Sequence, residues 1–160
     1  MSKAVIFDTE TTGLEAEDKI IQVGAIIVDS KDESFLDIYD ELFSCDVKIK
    51  IDAMATHGIR ESHLQNKENF ADSKFLKTIN ELNSKENYLI AHNLDFDLSM
   101  LEKYDFKNNF SLIDTLQCAK HLFDIGEQIG DYEIPNYKLQ SFRYILLNED
   151  EEKEESKKYN

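Results

Sequence analysis

The chain has 160 residues, 41% of them hydrophobic, which is enough apolar material for one hydrophobic core. Its formal net charge of −15 argues against a wide duplex-binding face, because such faces are usually basic. The charge does not exclude a narrow site in which divalent cations supply the positive charge. No window could span a bilayer and the first residues do not resemble a signal peptide, so we expect a cytoplasmic protein without membrane contact.

The first part of the chain predicts strands. Consecutive apolar residues indicate a short buried strand over 3–8 and a longer one over 20–29. Aromatic and branched residues indicate a third strand over 35–43, with 30–34 as its hairpin connection.

Helices dominate the rest. Apolar spacing predicts helices over 70–82, 95–104, 114–123 and 138–147, and a short strand over 88–91. Three strands followed by helices with further strands between them predict an α/β fold, a mixed sheet flanked by helices.

The end of the sequence has a different composition. Residues 149–160 include six acids and three lysines and almost no apolar residue. We therefore expect residues 1–148 to form the domain, and 149–160 to be a solvated, flexible tail or an interrupted loop.

Two acids stand at the end of the first strand. Asp8 and Glu10 are two residues apart, so a strand would turn both side chains to the same face. Neighbouring anions repel one another unless something neutralises them, and Mg²⁺ or Mn²⁺ prefers oxygen ligands of this kind. An isolated pair of this spacing more often only caps the following turn. Gly13, just beyond, would permit close backbone approach to a ligand.

A second group of polar residues follows the strand at 88–91. His92 and Asn93 lie in a loop, and Asp97 falls in the first turn of the next helix, where free amides favour a carboxylate. Asp97 could reach a metal held by Asp8 and Glu10. The alternative is that Asp97 is an ordinary first-turn acid.

Together these segments resemble the DEDD superfamily of 3′→5′ exonucleases, in particular the DEDDh branch that includes the proofreading epsilon subunit of bacterial DNA polymerase III. Residues 7–14 match the first signature, Phe-Asp-x-Glu-Thr-Thr-Gly-Leu, without a gap. The second signature is matched by His92, Asn93, Phe96 and Asp97. Further matches in the family's order are Ala55, His57, Gly58, Ile59, Leu64, Asp114, Thr115, Leu116, Lys138, Leu139 and Phe142.

The resemblance implies a ribonuclease-H-like fold with a mixed five-stranded sheet. It implies that Asp8, Glu10 and Asp97 are catalytic and hold two Mg²⁺ or Mn²⁺ ions roughly 4 Å apart. It also implies a nucleotide pocket formed by Thr11, Thr12, Gly13, Leu14, His57, Asn93 and Phe96. For His57, a helix-end histidine satisfied by the backbone is the alternative.

The implied reaction is release of nucleoside 5′-monophosphates from a single-stranded or frayed 3′ end of DNA or RNA. A proofreading-type DNA exonuclease with a polymerase subunit as partner fits the resemblance best. A haloacid-dehalogenase-like phosphatase also begins with Phe-Asp, but Glu10 and the following Thr-Thr-Gly depart from its motif. We therefore rank that interpretation last.

The family's third signature is absent. It is a His, or in another branch a Tyr, followed by an Asp, and it supplies the general base and the fourth carboxylate. No His follows His121, and Tyr144 has only Asn148 at the required spacing. Truncation before this signature would leave the chain weakly active or inactive. The alternative is a degenerate module that binds a polymerase or other partner without catalysis. We favour truncation, because three carboxylates are retained.

Overall fold

The computed structural model describes residues 2–147 and, beyond them, residues 150, 151 and 153. Most of the predicted tail therefore lies outside the described residues, as does Asn148, and the division at residue 148 stays a prediction. None of the helices in the described part is both long enough and apolar enough to cross a lipid bilayer.

A five-stranded mixed sheet forms the centre of the fold, with strand order β3-β2-β1-β4-β5. Its first three strands form an antiparallel meander, whereas β4 runs parallel to both β1 and β5. The predicted mixed five-stranded sheet flanked by helices is confirmed. The strands are β1 Lys3–Thr11, β2 Ile20–Asp29, β3 Phe35–Leu42, β4 Tyr88–Ala91 and β5 Ser111–Asp114.

Helices connect the strands and follow them. Two short strands pair with each other away from the main sheet. Single 3₁₀ turns occur at Glu61–Leu64 and Phe70–Asp72. The helices are α1 Ile51–His57, α2 Lys74–Leu82, α3 Leu94–Glu102, α4 Thr115–Leu122 and α5 Leu139–Leu146, and the short strands are β6 Gln128–Ile129 and β7 Tyr132–Glu133.

The predicted helix over 70–82 is wrong in its first part. Ser73 caps α2 by accepting a hydrogen bond from the amide of Leu76 at 3.1 Å, so the helix begins only at Lys74. Asp114 is the N-cap of α4, as predicted, and accepts from the amide of Leu116 at 2.8 Å. Strand β1 extends to Thr11, three residues beyond its predicted end, because β2 continues to pair with it. The sequence did not predict α1, β5, β6 or β7.

One face of the sheet carries the main core. Helices α2 and α3 pack their apolar residues against this face. Phe75 of α2 is fully buried, with its ring centroid 6.0 Å from that of Phe7 and 5.4 Å from that of Tyr39. Offset and edge contacts of this kind add to the stabilisation that burial itself provides.

The opposite face carries five isoleucines in cross-strand register, one from each strand, which we call the isoleucine row. Ile6 and Ile38 in this row remain 42% and 45% exposed, and the face borders a cavity of about 700 Å³. Asp8 follows Ile6 by two residues on the same face of β1. Asp8 therefore lies next to the middle member of the row. Its members are Ile38, Ile26, Ile6, Ile90 and Ile113.

Replacing Phe75 with alanine should lower the free energy of unfolding by about 3–5 kcal/mol, because the buried ring leaves a cavity. Ile38→Ala is the matched control and should cost under about 1 kcal/mol, because nearly half of Ile38 is already exposed to water. Urea denaturation followed by circular dichroism measures both changes. Equal losses would mean that the isoleucine row is covered in solution.

Candidate active site

The acids of β1 lie on the face opposite the main core. Burial alternates along the strand: Thr9 and Thr11 are buried, whereas Asp8 is exposed and Glu10 is half-buried. The two carboxylates thus share one face of β1, with Thr9 between them in sequence and directed to the other side.

Asp97 is the third carboxylate of this group. It lies in the first turn of α3 and is only 2% exposed. Its Oδ1 accepts two hydrogen bonds from Thr9, one from the backbone amide at 3.1 Å and one from the hydroxyl at 2.7 Å. These bonds join α3 to β1 at the residue between Asp8 and Glu10.

All three carboxyl groups resist ionisation. Burial raises the pKa of Asp97 to about 7, and the charge of Asp8 adds to the rise although the Thr9 hydrogen bonds oppose it. Burial, followed by the charge of Asp8, raises the pKa of Glu10. Asp8 keeps an exposed surface, yet the surrounding protein removes enough water to raise its pKa as well, and His92 partly offsets this.

This donor set fits a hard divalent cation. The three side chains offer only oxygen donors, and their mutual repulsion and lost hydration favour any cation that binds between them. Among the described residues, no three acidic, histidine or cysteine side chains are already placed so that together they could hold a metal ion. Asp8, Glu10 and Asp97 could hold Mg²⁺ or Mn²⁺ only if their side chains converge on the ion.

A cavity of about 350 Å³ adjoins Glu10. Leu14 at its edge is 80% exposed, so its side chain is free to contact a ligand. The cavity brings together five of the seven residues predicted for nucleotide binding, namely Thr11, Gly13, Leu14, His57 and Phe96.

The other two predicted pocket residues lie elsewhere. Thr12 is fully buried, and its hydroxyl donates to Asp18 at 2.8 Å. Asn93 is the N-cap residue of α3 with φ of 71°, a left-handed conformation that asparagine tolerates, and it lines a different groove.

Both ring nitrogens of His57 bond to the backbone. Its Nδ1 accepts from the amide of Ile59 at 2.9 Å, so in the neutral ring the proton is on Nε2. That nitrogen lies 3.2 Å from the carbonyl oxygen of Thr11 and donates to it. His57 therefore holds α1 against the end of β1 and offers no free lone pair to a reacting group.

Sequence reasoning missed Asp18, which orders the Thr-Thr-Gly-Leu loop. Its carboxylate is fully buried and accepts from Lys50 Nζ at 2.6 Å and from the amide of Glu15 at 2.7 Å. Burial alone would raise the pKa of Asp18, but hydrogen bonds from Lys50, Glu15 and Thr12 hold it below its usual range. No local pattern could reveal this pair, because Lys50 is 32 residues away.

The absence of a side chain at Gly13 leaves room for the Asp18–Lys50 pair. A Cβ at Gly13 would come within 2.5 Å of both Asp18 Oδ2 and Lys50 Cδ. The close approach that glycine allows is therefore to side chains of the protein itself, and not only to a ligand.

Comparison with known proteins identifies the family. A family model described as Exonuclease matches residues 5–147, and the chain belongs to this family of 3′→5′ exonucleases. The DNA polymerase III subunit epsilon of Buchnera aphidicola is 30% identical over 165 aligned positions, covering 90% of this chain and 66% of that subunit. The predicted membership is confirmed, and the phosphatase interpretation has no support.

Two solved structures share the fold. Exonuclease X in complex with 5′ overhanging duplex DNA has a TM-score of 0.61 at 22% identity, covering 88% of this chain and 70% of that chain. Escherichia coli exonuclease I in complex with an oligonucleotide has a TM-score of 0.70 at 19% identity, covering 91% and 36%. At these identities the similarity establishes the ribonuclease-H-like exonuclease fold.

Ionisation of Asp97 should destabilise the metal-free chain. Its pKa of about 7 in the folded state exceeds the ordinary value of 3.8, so stability from this group is full below about pH 4 and is lost as pH rises to about 7. Asp97→Asn keeps an acceptor for Thr9 and removes the charge. We expect its melting temperature without metal at pH 8 to exceed that of the original chain by about 5 °C.

The measurement is thermal unfolding of both chains in chelator between pH 5 and pH 8. Asp95→Asn, which alters an exposed acid in the same turn, is the control and should follow the original chain at every pH. A pH-independent difference between Asp97→Asn and the original chain would show that Asp97 is ionised without cost.

Proposed function

We propose that this chain is the catalytic domain of a metal-dependent 3′→5′ exonuclease that releases nucleoside 5′-monophosphates from single-stranded or frayed ends. The observation that carries the proposal is the placement of Asp97. Thr9 holds this buried carboxylate beside Asp8 and Glu10. Among the described residues, no lysine, arginine or histidine side chain forms an ion pair with it.

The three carboxylates have one shared task in this proposal. They would hold two Mg²⁺ or Mn²⁺ ions, which when bound supply an activated water and stabilise charge on the phosphate and the leaving 3′ oxygen. Thr9 keeps Asp97 in position through its two hydrogen bonds. Leu14 and Phe96 contact the terminal base, and His57 fixes the wall of the cavity through the Thr11 carbonyl.

The nature of the substrate is supported by the relatives. The two structural neighbours are described in complex with DNA, one with a 5′ overhanging duplex and the other with an oligonucleotide. The relative from Buchnera aphidicola is a polymerase subunit. A single-stranded DNA 3′ end is therefore the proposed substrate, proofreading the proposed role and a polymerase subunit in the cytoplasm the proposed partner.

The general base and the fourth carboxylate have no counterpart among the signature residues of this chain. The chain spans 66% of the epsilon relative, so the activity of the whole protein is part of the proposal. Loss of a general base typically reduces a rate by about 10²–10⁴-fold, so this chain by itself would be weakly active.

A non-catalytic docking module is the second candidate. Two observations favour it. The sequence lacks the third signature, and among the described residues no three potential ligands are placed so that they could hold a metal ion. It differs from the first candidate in predicting no Mn²⁺ binding.

Release of 5′-nucleotides from a 3′-labelled single-stranded oligonucleotide tests the proposal. We expect slow release that requires Mn²⁺ and falls below detection in Asp97→Asn, because the charge that would hold the ion is gone. Asp95→Asn is the matched control and should retain the original rate, because Asp95 is exposed and it is Asp97 that accepts the Thr9 hydrogen bonds.

Two results would contradict parts of the proposal. Absence of both Mn²⁺ binding and nucleotide release would favour the docking module. A rate typical of complete exonucleases, about 1 per second or faster, would show that residues of this chain replace the missing pair.

A further inference from the structure

A second groove, of about 440 Å³, opens where β4 and β5 end. We call it the lysine groove, because Lys120 of α4 and Lys138 at the start of α5 both line it. His92 and Asn93, which follow β4, form the wall nearest the three carboxylates.

The charge of this groove differs from that of the rest of the molecule. The chain has 33 acids against 18 lysines and arginines, yet no carboxylate lines the lysine groove. Three other cavities formed by the described residues each have at least one acidic residue in their lining. Within the described ranges, the ammonium groups of Lys120 and Lys138 have no ion-pair partner.

The wall shared with the carboxylates is held by hydrogen bonds. The hydroxyl of Thr115 donates to the Ala91 carbonyl at 3.3 Å, so the His92 Nδ1 at 3.0 Å donates to that hydroxyl. The amide of Asn93 donates to Asp114 at 3.1 Å. These bonds fix the groove beside the end of the sheet.

The carboxylates lie between the lysine groove and the nucleotide cavity. Parallel pairing of Ile6 with Ile90 brings Asp8 and His92 to corresponding positions two residues further along β1 and β4. Glu10, two residues beyond Asp8, lines the nucleotide cavity on the other side. A single nucleic-acid strand whose terminal nucleotide fills the nucleotide cavity would pass the carboxylates and continue into the lysine groove.

We propose that the lysine groove binds the backbone phosphates of the single strand upstream of its terminal nucleotide. This inference rests on the proposed exonuclease function and adds the path of the substrate. Two unpaired ammonium groups attract phosphates without reading sequence, which suits an enzyme that removes any nucleotide. The groove also explains how so acidic a chain can retain a polyanion: positive charge is concentrated where the strand leaves the site.

The test compares two double variants with the same loss of charge. Lys120→Ala with Lys138→Ala removes both positive charges from the groove. Both residues are exposed, so the fold should persist. Lys85→Ala with Lys107→Ala is the control, because these exposed lysines precede β4 and β5 and so lie at the opposite ends of these strands from the groove. Fluorescence anisotropy measures binding of a labelled oligothymidylate in Ca²⁺ at several salt concentrations, and calorimetry measures binding of thymidine monophosphate.

The groove variant should bind the oligothymidylate about tenfold or more weakly than the control. Its plot of log affinity against log salt should be shallower by about 1.4, because two phosphate contacts are lost and each contributes roughly 0.7 on a single strand. Thymidine monophosphate, which reaches only the nucleotide cavity, should bind both variants equally. Lys120→Arg with Lys138→Arg should restore binding of the oligothymidylate.

Other outcomes would overturn the inference. Equal oligothymidylate affinity and salt dependence in the two double variants would place the strand elsewhere and leave the exonuclease proposal standing. An original chain that binds thymidine monophosphate but not the oligothymidylate would do the same. An original chain that binds neither probe would contradict both the lysine groove and the exonuclease function.

Discussion

The pair of hydrogen bonds from Thr9 to Asp97 is the contact on which the candidate site depends. They fix the first turn of α3 near the end of β1 and bury a carboxylate close enough to Asp8 for the charge of Asp8 to act on it. An unneutralised charge in this position is costly, which is why the pKa of Asp97 rises to about 7. The fold therefore maintains a position that a cation would stabilise. That property is expected of a metal site and is hard to explain as a contribution to stability.

Asp18 provides the contrast within the same molecule. Its side chain is as inaccessible to solvent as that of Asp97 but lies nearer the protein surface, so burial opposes its ionisation less. Lys50 and two further donors satisfy it, and its pKa falls. Lys50 thus neutralises the carboxylate of Asp18. Asp97 has no such ion pair with any of the described residues. Asp18 orders the loop that carries Leu14, whereas for Asp97 we propose a role in binding an ion. The same residue type has a structural role in one place and the features of a functional role in the other.

Local patterns predicted much of the fold. The strand at Ile20–Asp29 and the cap at Asp114 follow from apolar runs and capping chemistry, which depend on neighbours in sequence. Apolar spacing alone extended the predicted helix over 70–82 across Ser73, whose side chain caps the helix that begins at Lys74. The predicted pocket included Thr12 because its motif neighbours are pocket residues, but Asp18 draws its hydroxyl inward. Contacts such as Asp18–Lys50, and the alignment of the isoleucine row, depend on tertiary pairing that no single segment encodes.

The number of protons released when Mn²⁺ binds tests the central claim most directly. The claim is that Asp97 loses its proton to the solvent when it binds the ion. Calorimetric titration at pH 7 in buffers of different ionisation enthalpy measures this number. A pKa of about 7 predicts release of about half a proton from Asp97 in the original chain and a clearly smaller number in Asp97→Asn. Absence of Mn²⁺ binding, or equal proton release from the two chains, would contradict the assignment of Asp97 as a metal ligand.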